Sequence, residues 1–228
     1  MSLYEKGWQA VRDRIAAAAI AAGREPHSVQ LLAVSKTFPP DAVRTLHAFG
    51  QRAFGENHVQ EGVAKCAQLH GLADVEWHLL GPLQSNKTKV AAATFAWVES
   101  VDRMKTGERL SAQRPTSLPP LNICLQVNAS GEASKHGVAP ADALATARDL
   151  AALPRLRLRG IMGILEQTGD VARLRAQFRV LRTCYDECMA TGLPVDTLSM
   201  GMSADLEVAI AEGATQVRVG TAIFGRRE

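Results

Sequence analysis

The feature that most constrains this chain is a regular alternation of short apolar segments with longer amphipathic ones. The short segments have the length and character of buried strands, and they cover residues 31–35, 52–55, 75–80, 96–101, 121–127, 158–164, 195–200 and 216–219. Helical patterns lie between them, and one further amphipathic helix precedes the first strand. Eight β/α units predict a single (β/α)8 TIM barrel with an extra N-terminal helix, as one domain over residues 1–228.

The rival architecture for alternating strands and helices is a doubly wound open sheet. In that fold a G-x-G-x-x-G turn often follows the first strand, whereas here the first strand is followed by "SKTFPP". The net charge of +3 does not favour nucleic acid or a membrane surface as a partner. No apolar run approaches the roughly eighteen residues of a membrane span.

The cysteines and the basic residues indicate no further site. Neither disulfide nor zinc spacing is present among Cys66, Cys124, Cys184 and Cys188. We therefore expect reduced thiols, no metal and a cytoplasmic protein. The main basic cluster, "RLRLRG" at 155–160 with the arginines between 173 and 182, has no interleaved aromatic residues. This pattern predicts a solvated rim rather than a polyanion site.

The loops that follow the strands test the barrel prediction, because proteins with this fold place their chemistry there. These loops are polar, rich in glycine and bear lysine, whereas the helix-to-strand connections are short and plain. The loop segments are Lys36, "ENH" at 56–58, "GPLQSNK" at 81–87, "NASGEASKHG" at 128–137, "MGMS" at 200–203 and "GTAIFG" at 220–225. The sequence thus predicts the functional site at the carboxyl ends of the strands.

Two of these loops have the features of an anion site. "MGMS" leads into a helix that we expect Ser203 to cap, so that backbone N–H groups and a hydroxyl face the opening. After the eighth strand, Gly220 allows close approach of a ligand and Thr221 supplies a hydroxyl. A Gly-Thr pair alone usually marks only a turn. Two such loops after strands seven and eight, however, occupy the usual phosphate-binding positions of this fold.

The alternation of side chains adds a lysine and an arginine to the same end of the barrel. Leu32, Val34 and Lys36 share one face, and Arg218 alternates with two valines that should face the helices. A desolvated lysine beside another cation becomes a nucleophilic amine. With a phosphate cradle, these residues predict a Schiff base to a phosphorylated aldehyde. The alternative for an isolated lysine at a strand end is an ordinary surface position.

Longer motifs extend along nearly the whole chain, from about Leu31 to Arg227. They are "AVSKTFP", "FGENHVQEG", "WHLLGPLQSNK", "SKHGV", "LRLRGIMGI" and "DTLSMGMSADLEVAIAEGATQVRVGTAIFGRR". These motifs resemble the YggS/PROSC family of pyridoxal-phosphate homeostasis proteins. The resemblance implies a barrel like the N-terminal domain of alanine racemase. It also implies pyridoxal 5′-phosphate (PLP), held as a Schiff base on Lys36.

The same resemblance implies a set of residues around the cofactor. The implied cofactor-binding residues are Lys36, Asn57, Asn86, Met202, Ser203, Arg218, Gly220 and Thr221. Arg218 would face the pyridine nitrogen, and the last two loops of the barrel would hold the phosphate. Lys135 matches a family lysine proposed as a secondary acceptor of PLP. His58 and Phe38 stand where the family often has a tyrosine and a second lysine, which leaves the contacts at these two positions open.

PLP on a barrel could also serve a racemase or a decarboxylase. Such enzymes need acid and base groups at the cofactor, whereas Tyr4 and Tyr185 are expected on helices away from the loops. His58 is the remaining candidate base, with a hydrogen-bonded loop histidine as the plainer alternative. An arginine at the ring nitrogen also weakens the electron sink that most such reactions use.

We therefore expect a monomeric protein that binds PLP and delivers it to PLP-dependent apo-enzymes, without catalytic turnover of a known type. The resemblance supports this function in intracellular PLP homeostasis. One alternative is a small PLP-dependent amino-acid racemase that acts as an oligomer. Another is a Schiff-base aldolase of a sugar phosphate, which the resemblance disfavours.

Overall fold

The computed structural model describes residues 3–132, 136–166 and 168–225. Within these ranges, eight parallel strands close into a barrel in chain order, so the predicted (β/α)8 TIM barrel is confirmed. The strands are β1 (Gln30–Val34), β2 (Ala53–Glu56), β3 (Glu76–Leu79), β4 (Trp97–Val101), β5 (Leu121–Gln126), β6 (Leu156–Met162), β7 (Thr197–Ser199) and β8 (Gln216–Val219).

Helices alternate with the strands and surround the barrel. They are α1 (Leu3–Ala21), α2 (Pro40–Ala48), α3 (Val59–Gln68), α4 (Thr88–Thr94), α5 (Met104–Gln113), α6 (Ala143–Ala151), α7 (Val171–Ala190), α8 (Leu206–Ala211) and α9 (Thr221–Phe224). Short 3-10 turns at Ser85–Lys87 and Pro140–Asp142 precede α4 and α6. The predicted extra helix is α1, which buries Trp8, Val11, Ile15 and Ala19 at helical spacing. Among the described residues, no helix is long and apolar enough to cross a membrane.

Alternation along the strands divides the apolar side chains between two sides of the barrel wall. Outward residues such as Ala33, Phe54 and Val217 belong to one large core between the strands and the helices. The intervening residues form two small separate clusters. These clusters contain Leu32, Val34, Ala53 and Leu80 on one side of the interior and Trp97, Cys124 and Met162 on the other. A period of two therefore sorts core from barrel interior, as expected for parallel strands in a closed barrel.

The strand boundaries differ from the sequence prediction by a few residues. β6 begins at Leu156 rather than at residue 158, and β7 covers only Thr197–Ser199 rather than 195–200. The early start of β6 follows from its pairing, because Leu156 lies opposite Leu121 at the start of β5.

The basic rim is neutralised by acidic neighbours. On α7, Arg173 pairs with Glu166 at 2.8 Å, and Arg175 and Arg179 both pair with Glu212, at 2.6 and 3.0 Å. These arginine side chains are more than 40% exposed. The prediction of a solvated rim is consistent with this pairing.

Candidate functional site

Lys36 lies directly after β1 and is partly exposed. The ladder continues one residue past the strand, because the Ser35 N–H donates to the Gly55 carbonyl at 3.0 Å. The Ser35 hydroxyl donates to a carboxylate oxygen of the buried Glu56 at 2.6 Å. Glu56 packs against Gly62 of α3, so Ser35 faces the helix layer. Alternation therefore continues to predict that the Lys36 side chain points into the barrel mouth.

Arg218 lies on β8 between Val217 and Val219, both of which are in the outer core. Its guanidinium is nearly inaccessible, with 5% of the residue exposed. Nη1 donates to Ser199 Oγ at 2.8 Å, and Nη2 donates to the Gly163 carbonyl at 2.7 Å. Arg218 is thus on the inner face of the barrel wall, and strands β6 and β7 hold its head group.

Arg218 is one member of a buried polar group that we call the interior cluster: His78, Glu99, Ser199, Gln216 and Arg218. Glu99 accepts hydrogen bonds from Ser199 Oγ at 2.6 Å and from Gln216 Nε2 at 2.7 Å. Glu99 Oε1, which accepts the bond from Gln216, also lies 2.6 Å from His78 Nδ1. The His78 ring stacks on Trp97 with ring centroids 4.9 Å apart. The sequence analysis missed Glu99 and His78 as neighbours of Arg218.

The charges in the interior cluster support one another. Burial disfavours the ionised form of Glu99, but the hydrogen bond and charge interaction with His78, together with the charge of Arg218, outweigh it and hold the pKa of Glu99 below its usual value. Burial lowers the pKa of Arg218, and the charges of Glu99 and Asp205 oppose that change. A carboxylate and a guanidinium thus share the floor of the mouth, with Ser199 bonded to both.

Two buried atoms in the interior cluster have no hydrogen-bond partner among the described residues. They are His78 Nε2 and Gln216 Oε1. Groups of this kind in a barrel interior require a partner such as an ordered water, because an orphaned buried donor or acceptor costs free energy.

The loop after β7 differs from the prediction in one respect. Ser203 was expected to cap the next helix, but α8 begins only at Leu206, so this prediction is wrong. The physical reason is a local turn in which the Met202 N–H donates to the Asp205 carboxylate. Ser203 is partly buried, and its hydroxyl accepts from the Ala222 N–H at 3.4 Å.

The loops after β7 and β8 therefore contact each other, and the second loop also contacts β1. A Cβ atom placed on Gly220 would lie 3.1 Å from the Val34 carbonyl oxygen, closer than most Cβ contacts, so the loop packs tightly on β1 at this point. Val34 is two residues before Lys36. Thr221 begins α9 and is exposed. The two loops predicted to bind an anion thus adjoin the strand that carries the lysine.

The asparagines occupy the loops after β2 and β3. Asn57 is partly buried, and its carbonyl lies so close to Gly81 that a Cβ there would clash with it at 2.0 Å. Asn86 is exposed in the 3-10 turn, and among the described residues no hydrogen bond joins it to another predicted site residue. His58 precedes α3 and is exposed. The predicted secondary acceptor, Lys135, lies outside the described residues.

The N-terminal helix braces these loops, which the sequence analysis did not anticipate. Arg14 donates to the Ser203 carbonyl at 3.1 Å and pairs with a glutamate of α8 at 2.7 Å. Tyr4 packs edge-on against Phe38, after β1, and against Phe224 of α9, with centroids 6.4 and 5.6 Å apart. The expectation that Tyr4 lies away from the loops is therefore wrong. It failed because α1 packs across the seam where β8 meets β1.

Metal chemistry finds no support in the described part of the chain. Among those residues, no three histidine, cysteine, aspartate or glutamate side chains form a group suited to a metal ion. The cysteines are free thiols. Burial raises the pKa of Cys66 to about 12 and that of Cys184 to about 11, so neither is a reactive thiolate.

Comparison with known proteins identifies the family. A family profile described as "Alanine racemase, N-terminal domain" matches residues 8–228. A "Pyridoxal phosphate homeostasis protein" of Pseudomonas aeruginosa is 55% identical over 228 residues, which is 100% of this chain and 97% of that protein. The chain belongs to the pyridoxal phosphate homeostasis family. Its barrel is that of the alanine racemase N-terminal domain, as the sequence motifs indicated.

Solved structures of relatives have the same fold. PipY of Synechococcus elongatus, solved with PLP bound, is 42% identical, with a TM-score of 0.82 over 94% of this chain and 100% of that chain. An unknown protein from Bifidobacterium adolescentis is 38% identical, with a TM-score of 0.93 over 97% of this chain and 94% of that chain. Family members of similar length thus share the whole barrel, and one of them has been seen with the cofactor.

Proposed function

We propose that this chain binds PLP as a Schiff base on Lys36 and delivers it to PLP-dependent apo-enzymes. On this proposal it acts in intracellular PLP homeostasis as a monomeric, cytoplasmic, single-domain protein. Its relatives support the cofactor and the process, because one is named for PLP homeostasis and another was solved with PLP bound.

The residues at the mouth suit each part of PLP. A lysine amine can condense with the aldehyde and release water. The guanidinium of Arg218, fixed by two hydrogen bonds, suits the unprotonated pyridine nitrogen as an acceptor. Backbone N–H groups and hydroxyls of Ser203 and Thr221, in the loops after β7 and β8, suit the phosphate. Asn57 and Met202, both partly buried, are proposed contacts to the rest of the ring, and Asn86 a further one from its exposed turn.

The observation that carries the proposal is the close packing of Gly220 against Val34. This contact brings the loop after β8 beside β1, the strand that leads to Lys36. A phosphate and an aldehyde on one small molecule can therefore be reached from adjoining segments.

Delivery rather than turnover follows from the groups near the mouth. The candidate base His58 is exposed, and Tyr185 is buried in α7 within the outer core. Tyr4, which lies beside the loops, packs its ring against Phe38 and Phe224. An arginine at the ring nitrogen also weakens the electron sink that most carbanion reactions of PLP use. Release needs only an incoming lysine amine, which bonds to the cofactor carbon while the amine of Lys36 leaves. Lys135 is proposed as a second acceptor.

A transfer assay tests this function against the racemase alternative. The PLP-loaded protein is mixed with an apo-enzyme that needs PLP, and separately with L- and D-alanine in deuterated water. We expect recovery of the apo-enzyme's activity and no exchange of the α-hydrogen. Lys36→Ala protein, treated identically, should restore little activity. Sustained exchange of the α-hydrogen that disappears in Lys36→Ala would overturn the delivery function and favour the racemase alternative.

A further inference from the structure

A second buried ionic group lies outside the barrel wall, between β2 and α3. We call it the loop cluster: Ser35, Glu56, Glu61 and Lys65. Lys65 and Glu56 are 4% and 0% exposed, and their charged atoms are 2.7 Å apart. Lys65 also pairs with Glu61 at 2.8 Å. A buried ion pair seldom adds stability over an apolar pair of equal volume, so stability alone does not account for this one.

The loop cluster holds both peptide groups that flank Lys36. On the amino side, Lys65 Nζ donates to the Ser35 carbonyl at 2.6 Å. On the carboxyl side, the Thr37 N–H donates to Glu61 Oε1, in a short hydrogen bond. These two peptide planes determine the backbone dihedrals of Lys36. Lys65 and Glu61 therefore help to hold the direction in which its side chain leaves the backbone, together with the turn that the Phe38 N–H closes on the Ser35 carbonyl.

The backbone at this point needs such support. Thr37 has a φ of +69°, in the left-handed region that β-branched residues rarely adopt. A conformation of this kind persists only where surrounding contacts impose it. Here the Phe38 N–H closes a turn on the Ser35 carbonyl at 3.1 Å, and the bond from the Thr37 N–H to Glu61 supports that turn. Lys65 together with the Thr37 N–H keeps the pKa of Glu61 low against the opposing effect of burial. Glu61 therefore stays ionised and able to accept.

We propose that Lys65, acting with Glu61, is a positioning residue that aims the Lys36 amine at the aldehyde of PLP. Lys65 is on the helix side of the wall, so it acts through the Lys36 backbone and does not contact the cofactor. The inference rests on the proposed function, because it concerns the amine that forms the Schiff base. It assigns a role to a lysine and a glutamate that neither the sequence motifs nor the anion loops require.

The test separates the orientation of the Lys36 amine from the affinity of the site for the phosphate and ring. Pyridoxamine 5′-phosphate has the phosphate and ring of PLP but no aldehyde, so its affinity reports the proposed phosphate and ring contacts without the Schiff base. In Lys65→Met we expect Schiff-base formation with PLP, followed by its absorbance, to slow by about tenfold or more. The affinity for pyridoxamine 5′-phosphate should stay within about twofold. Lys65→Arg should recover most of the rate, because arginine can donate to the same acceptors.

Two further variants keep the experiment decisive. Gln68→Met makes a similar change at an exposed site on the same helix and should leave both readouts unchanged. Lys65→Met leaves the carboxylate of Glu56 buried without its cationic partner, which destabilises the fold and could unfold the chain. In that event Glu61→Ala, at a partly exposed site, removes the Thr37 contact and one ion pair of Lys65 but leaves the Lys65–Glu56 pair, and it should show the same selective loss of rate.

The outcomes distinguish the positioning role from the proposed function. Unchanged Schiff-base formation in folded Lys65→Met or Glu61→Ala would overturn the positioning role alone. Equal losses for PLP and pyridoxamine 5′-phosphate would also overturn it, since they would indicate general damage to the barrel mouth. Wild-type protein that forms no Schiff base at Lys36 would overturn both proposals.

Discussion

The two ends of the barrel use their cations differently. At the amino end, arginines close the helix-to-strand connections by donating to backbone carbonyls. Arg114 bonds to the carbonyls of Pro119, Ala92 and Phe95 at 2.8, 2.6 and 2.9 Å, and Arg24 bonds to that of Ala214 at 2.8 Å. These bonds join segments of the chain that only the fold brings together.

At the carboxyl end, Arg218 is as buried as Arg114 but bonds mainly inside the barrel. Its neighbours there are Ser199 and Glu99, directly below the loops with lysine, glycine, serine and threonine. Barrels of this type place stability at the amino end and chemistry at the carboxyl end. The difference teaches that burial of an arginine does not by itself identify a site: Arg114 and Arg218 are equally buried, but only Arg218 lies inside the barrel below the loops after the strands.

The largest expected effect is a loss of stability when an arginine at the amino end of the barrel is removed. Arg114→Ala removes three hydrogen bonds and leaves buried carbonyls unpaired, so the free energy of unfolding should fall by about 3 kcal/mol. The affinity of the folded protein for PLP should not change. Urea unfolding and PLP titration measure the two quantities. Arg157→Ala, at an exposed position, is the control. A loss of PLP affinity in folded Arg114→Ala would contradict the division between the ends.

A smaller effect is expected at the carboxyl end, and in binding rather than stability. Ser203→Ala and Thr221→Ala should each weaken PLP binding by about 1.5–3 kcal/mol, the value of a charge-assisted hydrogen bond to phosphate. Binding of pyridoxal, which has no phosphate, should change little. The same substitution at the other end, Thr116→Ala, should affect neither ligand. Equal losses for PLP and pyridoxal would show that these loops do not hold the phosphate.

The smallest expected effect is on the pH dependence of stability, and it distinguishes two buried carboxylates, Glu99 inside the barrel and Glu56 outside its wall. Glu99 has a lowered pKa, so the stability it contributes is present above its unfolded value, near 4.3, and is lost as the pH falls through its folded pKa. Glu99→Gln should therefore lose less stability on acidification than the wild type. Unfolding in urea at a series of pH values measures this slope.

The pKa of Glu56 is shifted in the opposite direction to that of Glu99. Burial, with one carboxylate oxygen unpartnered among the described residues, raises its pKa despite the hydrogen bonds from Lys65 and Ser35. Its contribution to stability is present below the unfolded pKa and is lost as the pH rises through the folded pKa. Glu56→Gln should thus change the slope in the sense opposite to Glu99→Gln. Parallel slopes for the two variants would show that the clusters are not electrostatically distinct.

Much of the fold could be predicted because its signals are local. The strand pattern and the loops after each strand can be recognised from neighbouring residues. The same is true of the alternation that places Arg218 on the inner face of β8 and its two neighbouring valines on the outer face. Exact strand ends were less predictable. The start of β6 depends on its partner β5, and the start of α8 depends on a turn closed by Asp205.

The contacts around the site depend on distant pairs and were not predictable in the same way. Glu99 reaches Ser199 across 100 residues of sequence, and Lys65 reaches the Ser35 carbonyl across 30. A buried glutamate in "WVES" gives no local sign of its partners. Only the closed barrel shows which strands face each other across the interior.

The central claim is that Lys36 forms the bond to PLP, and one measurement tests it most directly. The protein is incubated with PLP, treated with borohydride to convert the imine to a stable secondary amine, digested, and mapped by mass spectrometry. The account predicts that the pyridoxyl group lies on Lys36, and that Lys36→Ala keeps its fold but loses the label. A label found mainly on another lysine of the wild-type protein would contradict the account.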